Sequence, residues 1–325
     1  MKNILILNAG TRNILVRDFM NTVAGKCEVI TTDNFDLAPA LYETEKQYVT
    51  KRWDEDGYWD QIEEICIKEN IGLIVSLVDP ELELLSIQRE RFEKLGILLN
   101  TSKECTIRAA FDKYETLSFI KEHKYNWIPS YVDYNDVEQQ ILAGQVNFPL
   151  LTKPRKGSGS AGIEIVNDLN RLKQICDNND DILIQKYING QELGIDVYVD
   201  LLSGEVVSIF AKKKIKMRAG ETDKSVSFKD KKLFGVIKEF SKDFGLKGAN
   251  DIDVFECDGE YYISEVNPRF GGGYIHAYAA GVDFPAMLLN NMNGIVNEIN
   301  IGAYKEDLYM MKYFSIKILD KEKLK

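Results

Sequence analysis

Short apolar runs alternate with helix-length stretches through the first hundred residues, and this alternation is what most constrains the fold. Ile4, Leu5, Ile6 and Leu7 open a first strand over residues 4–8, and residues 13–24 read as a helix. A second strand follows over 27–31, an amphipathic helix over 58–69 and a buried strand over 71–77. Residues 80–94 are helical again, and 97–99 form a further short strand. Strands separated by helices of this length are the units of a parallel sheet, so residues 1–110 are expected to form a doubly wound α/β domain. The turn Asn8-Ala9-Gly10-Thr11 lacks the GxGxxG spacing of a dinucleotide site. A helix N-terminus at that point can still hold an anionic group.

The chain has 325 residues, room for about two domains at roughly 150 residues each. Its 51 acidic residues outnumber 41 Lys and Arg, for a net charge of −10. That is the wrong sign for a protein whose main partner is nucleic acid or an anionic membrane. The longest strongly apolar stretch, 71–78, is far short of the roughly 20 residues that cross a bilayer. Met1-Lys2-Asn3 leads straight into the first strand rather than into a signal-peptide core. The five cysteines, Cys27, Cys66, Cys105, Cys176 and Cys257, are scattered without a CxxC pair, and His123 and His276 are the only histidines. This argues against a disulfide framework and against a structural or hydrolytic zinc site, and a reducing cytoplasm is the expected setting.

From residue 111 the pattern changes. A helix over 113–122 precedes strands joined by Arg155-Lys156-Gly157-Ser158-Gly159-Ser160-Ala161-Gly162, directly after Lys153-Pro154. Closely spaced glycines let backbone N–H groups converge on phosphate oxygens. A P-loop would run GxxxxGK[ST] into a helix. Here the basic residues come first, and Ile163-Glu164-Ile165-Val166 follows at strand spacing. The loop is therefore expected at the tip of a hairpin, as a flap with Lys153 at its base. Beyond it strands dominate, with helices over 231–244 and 274–291 and a last strand over 310–318.

Residues 250–267 form a second hairpin around Asp258-Gly259. A two-residue turn there would pair Asp253 with Ser264 and put Asp253 and Glu265 on opposite faces. A three-residue loop, Cys257-Asp258-Gly259, would instead place Asp251 across from Glu265, with Asp253 and Asn267 sharing that face. The odd-length loop is the expectation, because two carboxylates and an amide oxygen on one face make a hard-cation site that nucleotide phosphates can complete. Paired carboxylates on a buried sheet without a cation would be costly. Next comes Pro268-Arg269-Phe270-Gly271-Gly272-Gly273. Arg269 is placed to reach a phosphate that the metal also holds, and the glycines let the backbone approach a substrate.

Together these segments resemble an ATP-grasp domain, in the style of one half of the carbamoyl-phosphate synthase large subunit. The likeness extends to Asp79-Pro80-Glu81-Leu82, Asp112-Lys113-Tyr114, Gln185-Lys186-Tyr187-Ile188 with Glu192, and Arg218-Ala219-Gly220-Glu221, in family order. The resemblance implies a parallel-sheet domain over 1–110, an ATP-grasp lid with its flap over 111–187, and a metal- and substrate-binding lobe over 188–325. It implies ATP and Mg²⁺ (or Mn²⁺) as cofactors. Lys113, Lys153 and the flap residues Gly157, Ser158 and Gly159 would contact phosphates. Gln185, Lys186, Tyr187 and Ile188 would clasp adenine, and Glu192 would bind the ribose. Arg218 would lie near the nucleotide or substrate. Asp253, Glu265 and Asn267 would hold the metal, and Arg269 and Lys153 would act in catalysis. Gly271, Gly272, Gly273 and His276 are weaker candidates for the substrate pocket.

The implied activity is an ATP-dependent ligase that activates a small carboxylate as an acyl phosphate and passes it to an amine or similar nucleophile. Stopping at the acyl phosphate, or binding ATP without chemistry, are the alternatives. A homodimer is the assembly that the resemblance suggests. The chain departs from the family in having one unit where the synthase has two, and in carrying Gln185 and Lys186 where the hinge is often acidic.

Overall fold

The computed structural model describes residues 2–157 and 162–324. Its first layer runs β1 (Asn3–Leu7), α1 (Asn13–Val23), β2 (Val29–Asp33), β3 (Lys46–Val49), α2 (Tyr58–Lys68), β4 (Ile71–Ser76), α3 (Asp79–Ile87), α4 (Arg89–Glu93) and β5 (Leu98–Leu99). Among the described residues these strands form a five-stranded parallel sheet in the order β3-β2-β1-β4-β5. The alternating apolar runs thus give the expected doubly wound layer. Two details differ. β3 has only exposed or half-buried residues, so no apolar run marks it. The helix expected over 80–94 is two helices that break at Gln88.

Ile4 and Ile6 pack on one face of this sheet with Val16 and Phe19 of α1. Leu5 and Leu7 pack on the other with Tyr58 and Ile62 of α2. Burial on both faces is what makes these strands read as unbroken apolar runs. β1 lies between β2 and β4, so the chain reverses its direction of winding there. The loops after β1 and β4 leave from the carboxyl ends of strands at this switch point, where open α/β sheets hold their ligands.

α5 (Glu104–Phe111) and α6 (Lys113–Glu122) lead to a small lid made of β6 (Ser130–Tyr131), α7 (Tyr134–Leu142), β7 (Leu150–Pro154), β8 (Glu164–Val166), α8 (Leu169–Asp177) and β9 (Ile182–Lys186). Its four strands, among the described residues, are ordered β6-β9-β7-β8. β7 and β8 pair antiparallel on either side of the glycine-rich segment, of which residues 158–161 lie outside the described residues.

The third sheet is built from β10 (Gln191–Val199), β11 (Val206–Arg218), β12 (Glu221–Phe228), α9 (Lys231–Asp243), β13 (Gly248–Cys257), β14 (Glu260–Asn267), α10 (Tyr274–Ala279), α11 (Phe284–Met292) and β15 (Tyr309–Met311). Its order among the described residues is β14-β13-β10-β11-β12-β15. The single helix expected over 274–291 is interrupted by Gly281 at φ +102°. Asp283 then caps α11 by accepting from Ala286 N at 2.8 Å. The last strand is shorter than expected, since its ladder with β12 ends at Met311. A continuous core joins the lobes: Phe19 of α1 packs edge-on against Phe270, ring centroids 5.5 Å apart, beside Tyr274 and Phe284.

The β13–β14 hairpin corrects the expected register. Cys257 pairs with Glu260, so the turn is the two-residue Asp258-Gly259, both residues with positive φ. Such a pair matches the right-handed twist of the strands. The regular ladder continues to Val254 opposite Ile263, and then a bulge absorbs Ser264. Beyond it Asp253 faces Glu265 and Asp251 faces Asn267. The carboxylates share a face after all, through one extra residue in the strand rather than in the turn. Ser264 Oγ donates to the Asp253 carbonyl at 3.1 Å, which anchors the bulge.

Candidate active site

On β10, β11, β13 and β14 the two-residue period sorts side chains onto two faces. Leu193, Ile195, Val197, Ile209, Ala211, Ile252 and Val254 pack with Leu233, Ile237 and Phe240 of α9. The opposite face carries Glu192, Asp196, Lys212, Lys214, Asp251, Asp253, Glu265 and Asn267, by the strand registers. That face floors a cavity of about 460 Å³, roofed by Lys113 at the start of α6 and by Lys153, Lys156 and Gly157 of the lid, and closed on one side by Arg12 of the first domain.

Each lid cation is positioned by its own local structure. Asp112 caps α6 by accepting from Tyr114 N at 3.1 Å and also takes Arg155 Nε at 2.7 Å. Burial would raise its pKa, but Arg155 and the backbone donors hold it below the usual carboxylate range. The result ties helix α6 to the flap base, and Lys113 Nζ donates to the Gly157 carbonyl at 2.6 Å. Lys153 sits on β7 and is almost wholly buried; burial depresses its pKa, with Glu265 pulling the other way. Ser158 and Gly159 lie outside the described residues.

Arg269 is fixed from the first domain. Its Nε donates to Asp79 Oδ1 and its Nη2 to Asp79 Oδ2 at 3.0 Å, a two-pronged pair that sets the plane of the guanidinium. Nη1 adds a bond to the Phe270 carbonyl at 3.1 Å. Burial alone would lower its pKa, but Asp79, with Asp251 and Glu265, raises it overall. Asp79 opens α3 directly after the switch-point loop of β4, and Arg12 occupies the matching place after β1. Arg12 pairs with Glu221 at 2.9 Å, and Glu221 also takes Lys312 at 2.7 Å. Burial lowers the Arg12 pKa, with Glu221 opposing.

The floor is rich in carboxylates that lack partners. Glu265 accepts no hydrogen bond among the described residues, and burial raises its pKa, with Lys113 in opposition. Asp251 is pushed up to about 7 by burial and then by Asp253. The Asn267 oxygen meets only Arg269 Nη2, at 3.4 Å. This donor set fits a hard divalent cation, for which an unpartnered carboxylate and an amide oxygen are suitable ligands. Among the described residues, no three Asp, Glu, His or Cys side chains converge to hold an ion unaided. Lys214 bridges Glu192 Oε1 and Asp253 Oδ1, each at 2.7 Å. Burial would lower its pKa, but these two carboxylates raise it. Deeper still, Lys212 pairs with Asp196, both side chains 1% exposed.

Gly272 and Gly273 line the cavity, whereas His276, Arg218 and residues 185–188 do not. A Cβ on Gly271 would lie 2.5 Å from Asp251 Cγ, one on Gly272 2.6 Å from Arg12 Nη1, and one on Gly273 2.9 Å from Lys212 Cε. The three glycines therefore make room for the chain's own charged side chains. His276 is not a pocket residue: it is buried, its Nδ1 2.8 Å from Ser225 Oγ and its Nε2 2.9 Å from the Leu308 carbonyl. Burial lowers its pKa to about 4, so the ring is neutral at pH 7. The Arg218 side chain turns away to Asp223 at 2.6 Å and to the Phe314 ring. Gln185 points into the lid, donating to Ser130 Oγ at 2.9 Å. The Lys186 and Tyr187 N–H groups bond to Pro129 and Pro149 carbonyls, at 2.8 and 3.4 Å. None of residues 185–188 lines the 460 Å³ cavity.

Comparison with known proteins matches this architecture. Residues 4–100 fit the PylC-like N-terminal domain, and residues 110–273, half of the chain, fit the ATP-grasp domain. The chain belongs to the ATP-grasp family. Members of this family are ATP-dependent ligases, with ATP and Mg²⁺ as their usual cofactors. Carbamoyl phosphate synthase large chains of Clostridium beijerinckii and Clostridium perfringens are 32% and 31% identical over 143 residues. Those matches cover 39% of this ATP-grasp chain and only 13% of each relative's length. Among solved structures, the biotin carboxylase domain of Hydrogenobacter thermophilus 2-oxoglutarate carboxylase superposes with a TM-score of 0.75 at 16% identity. It covers 95% of this chain and 73% of that one, and was crystallised as a dimer with MgADP, ADP and bicarbonate. The L-amino acid ligase of Bacillus licheniformis gives 0.69 at 19% identity, over 92% and 75% of the two chains. N5-carboxyaminoimidazole synthetase of Staphylococcus aureus gives 0.70 at 15%, over 92% and 81%. These likenesses establish the shared fold. Among the described residues no helix is long and apolar enough to cross a membrane.

The sequence reading missed Arg12, Lys214 and the role of Asp79. Lys214 is hidden in the run Lys212-Lys213-Lys214, where three equal charges mask the two-residue period. Arg12 carried no signal beyond its place after a strand-end turn.

Proposed function

We propose that this ATP-grasp protein is an ADP-forming ligase that activates a small carboxylate as an acyl phosphate and passes the acyl group to an amine. One observation carries the reading: Lys113, Lys153 and a rigidly held Arg269 converge with the unpartnered Glu265 carboxylate on one cavity. Bound Mg-ATP would supply the transferable phosphoryl group and its counter-charge, the cation resting on Glu265 and Asn267. A carboxylate is a poor electrophile, and phosphorylation gives it a leaving group. Its oxygen bonds to the γ-phosphorus as the bond to ADP breaks. The amine nitrogen then bonds to the acyl carbon as inorganic phosphate leaves and the nitrogen loses a proton.

The chain's own residues position and neutralise. Lys113 and Lys153 would hold phosphate oxygens from the lid. Arg269, unable to rotate while Asp79 grips it, would stabilise charge on the transferring group. Arg12, on the first-domain side of the cavity, is placed to receive the substrate carboxylate. Lys153, Lys156 and the other lid residues over the cavity would help keep water from the acyl phosphate.

The test is ADP release with Mg-ATP against pools of amino acids, other small carboxylates and bicarbonate, each with and without amines. Release that needs a carboxylate and rises with an amine is expected. A carboxylate effect with no amine effect would leave a phosphoryl transferase that stops at the acyl phosphate. Binding of Mg-ATP without any stimulated release would overturn the ligase reading.

A further inference from the structure

The floor of the cavity already holds a cation. Lys214 projects from β11 over β10 and ends between Glu192 and Asp253, 2.7 Å from an oxygen of each, with its side chain 4% exposed. The route it takes is built into the sheet. Gly194 on β10 stands opposite Lys212 on one side and Asp253 on the other. A Cβ there would come within 2.9 Å of Lys212 Cε and 3.2 Å of Lys214 Cε. The missing side chain is what lets the lysine stem cross the strand and bring its ammonium to the Asp253 carboxylate.

We propose that Lys214 is a resident counter-cation at Asp253, so that the site takes one divalent ion, on Glu265 and Asn267, and not two. This rests on the Mg-ATP reading above. An ion placed on Asp253 would have to displace a buried ammonium from that carboxylate, or sit against it with like charge in a weakly screened setting. Nothing comparable guards the other end of the face. Among the described residues neither Glu265 nor Asp251, which faces Asn267, accepts a hydrogen bond, and the Asn267 side-chain oxygen has only the 3.4 Å contact from Arg269. One ion can therefore enter there without displacing anything, its remaining positions filled by phosphate oxygens and water. Lys214 would offset the rest of the phosphate charge as a fixed point charge.

Binding stoichiometry tests this without turnover. The full chain is titrated with Mn²⁺ at saturating non-hydrolysable ATP analogue, with free Mn²⁺ read by electron paramagnetic resonance and chain-bound nucleotide counted by equilibrium dialysis. The wild-type chain should bind one Mn²⁺ per bound nucleotide. Lys214→Gln should bind two, and Lys214→Arg, which keeps the charge, should bind one. Two Mn²⁺ in the wild-type protein would overturn the proposal while leaving the nucleotide site intact. One Mn²⁺ in a folded Lys214→Gln chain would also overturn it. If Lys214→Gln does not fold, the wild-type count decides alone. Absence of any chain-bound nucleotide would remove the Mg-ATP reading itself, and this inference with it.

Discussion

The two faces of the six-stranded sheet are both covered, yet they are opposites. Toward α9, residues such as Ile195, Val197, Ile209, Ile252 and Val254 are fully buried, each contributing roughly 1.5–3 kcal/mol. Toward the lid and first domain, five acidic groups and two lysines are crowded under a roof of further lysines and an arginine. Burial raises the pKa of Asp196, Asp251 and Glu265. A raised carboxyl pKa means that the ionised form is disfavoured in the fold, so this face costs stability in the absence of a ligand. One face specifies the structure and the other is held in place by it. A sheet can carry such a burden because alternation keeps the two sets of side chains apart.

Substitutions on the two faces should therefore separate activity from stability. The largest effect is expected from Glu265→Ala. It removes an unpartnered carboxylate from the proposed metal position, and kcat should fall on the order of 10³-fold or more. The melting temperature should hold or rise, because a buried charge is lost. Retained Mg²⁺-dependent turnover would sink the metal assignment. On the other face, Ile252→Ala should cost about 3 kcal/mol in denaturant unfolding, with kcat in the folded fraction close to wild type. A kinetic loss to match would show that the faces are not independent.

The parallel layer and the helix over 113–122 were legible from sequence, and of the six-stranded sheet the hairpin over 250–267 was. The charged face was only partly so. The grouping of Asp253, Glu265 and Asn267 on one face was reached through the wrong turn, since a bulge at Ser264 looks like an ordinary strand residue. Ion pairs that join distant segments left no periodic trace. Asp79 and Arg269 are 190 positions apart, and only the order of strands in the parallel sheet brings them together. His276 shows the converse: its place after the glycine triplet pointed to a pocket, but a six-residue helix turned it into the core.

The Asp79–Arg269 pair offers a next test, because it completes the charged face from the first domain. Asp79→Asn should lower kcat about 100-fold, through loss of the guanidinium's fixed plane, with a smaller change in KM. An effect confined to KM would contradict a transition-state role for Arg269. A somewhat smaller effect is expected in the pH dependence of stability. The Asp251 carboxyl, raised to about 7 in the fold, titrates near 4 in the unfolded chain. The folded protein then binds the extra proton between those values, so the contribution of this group to stability is fully present below about pH 4 and is lost as pH rises through about 7. Asp251→Asn should remove about 2 kcal/mol of the difference between pH 5 and pH 8, measured without nucleotide. An unchanged slope would mean that other groups on this face carry the linkage.

The smallest effect should come from the deepest charges. Lys212 and Asp196 are 1% exposed and paired, but Asp196 Oδ1 has no hydrogen-bond partner among the described residues. A buried pair with an unsatisfied oxygen recovers little of what its desolvation costs, and apolar residues of similar size often serve as well. The double variant Lys212→Met with Asp196→Leu should therefore shift unfolding free energy by less than about 1 kcal/mol. Lys212→Met alone should cost more, because it leaves Asp196 buried without its cation. If the double variant is as stable as the wild type but binds Mg-ATP poorly, the charge row is kept for the field it projects into the cavity. If it loses several kcal/mol instead, the pair helps to hold the sheet together, and the division of labour between the faces is less complete than the burial pattern indicates.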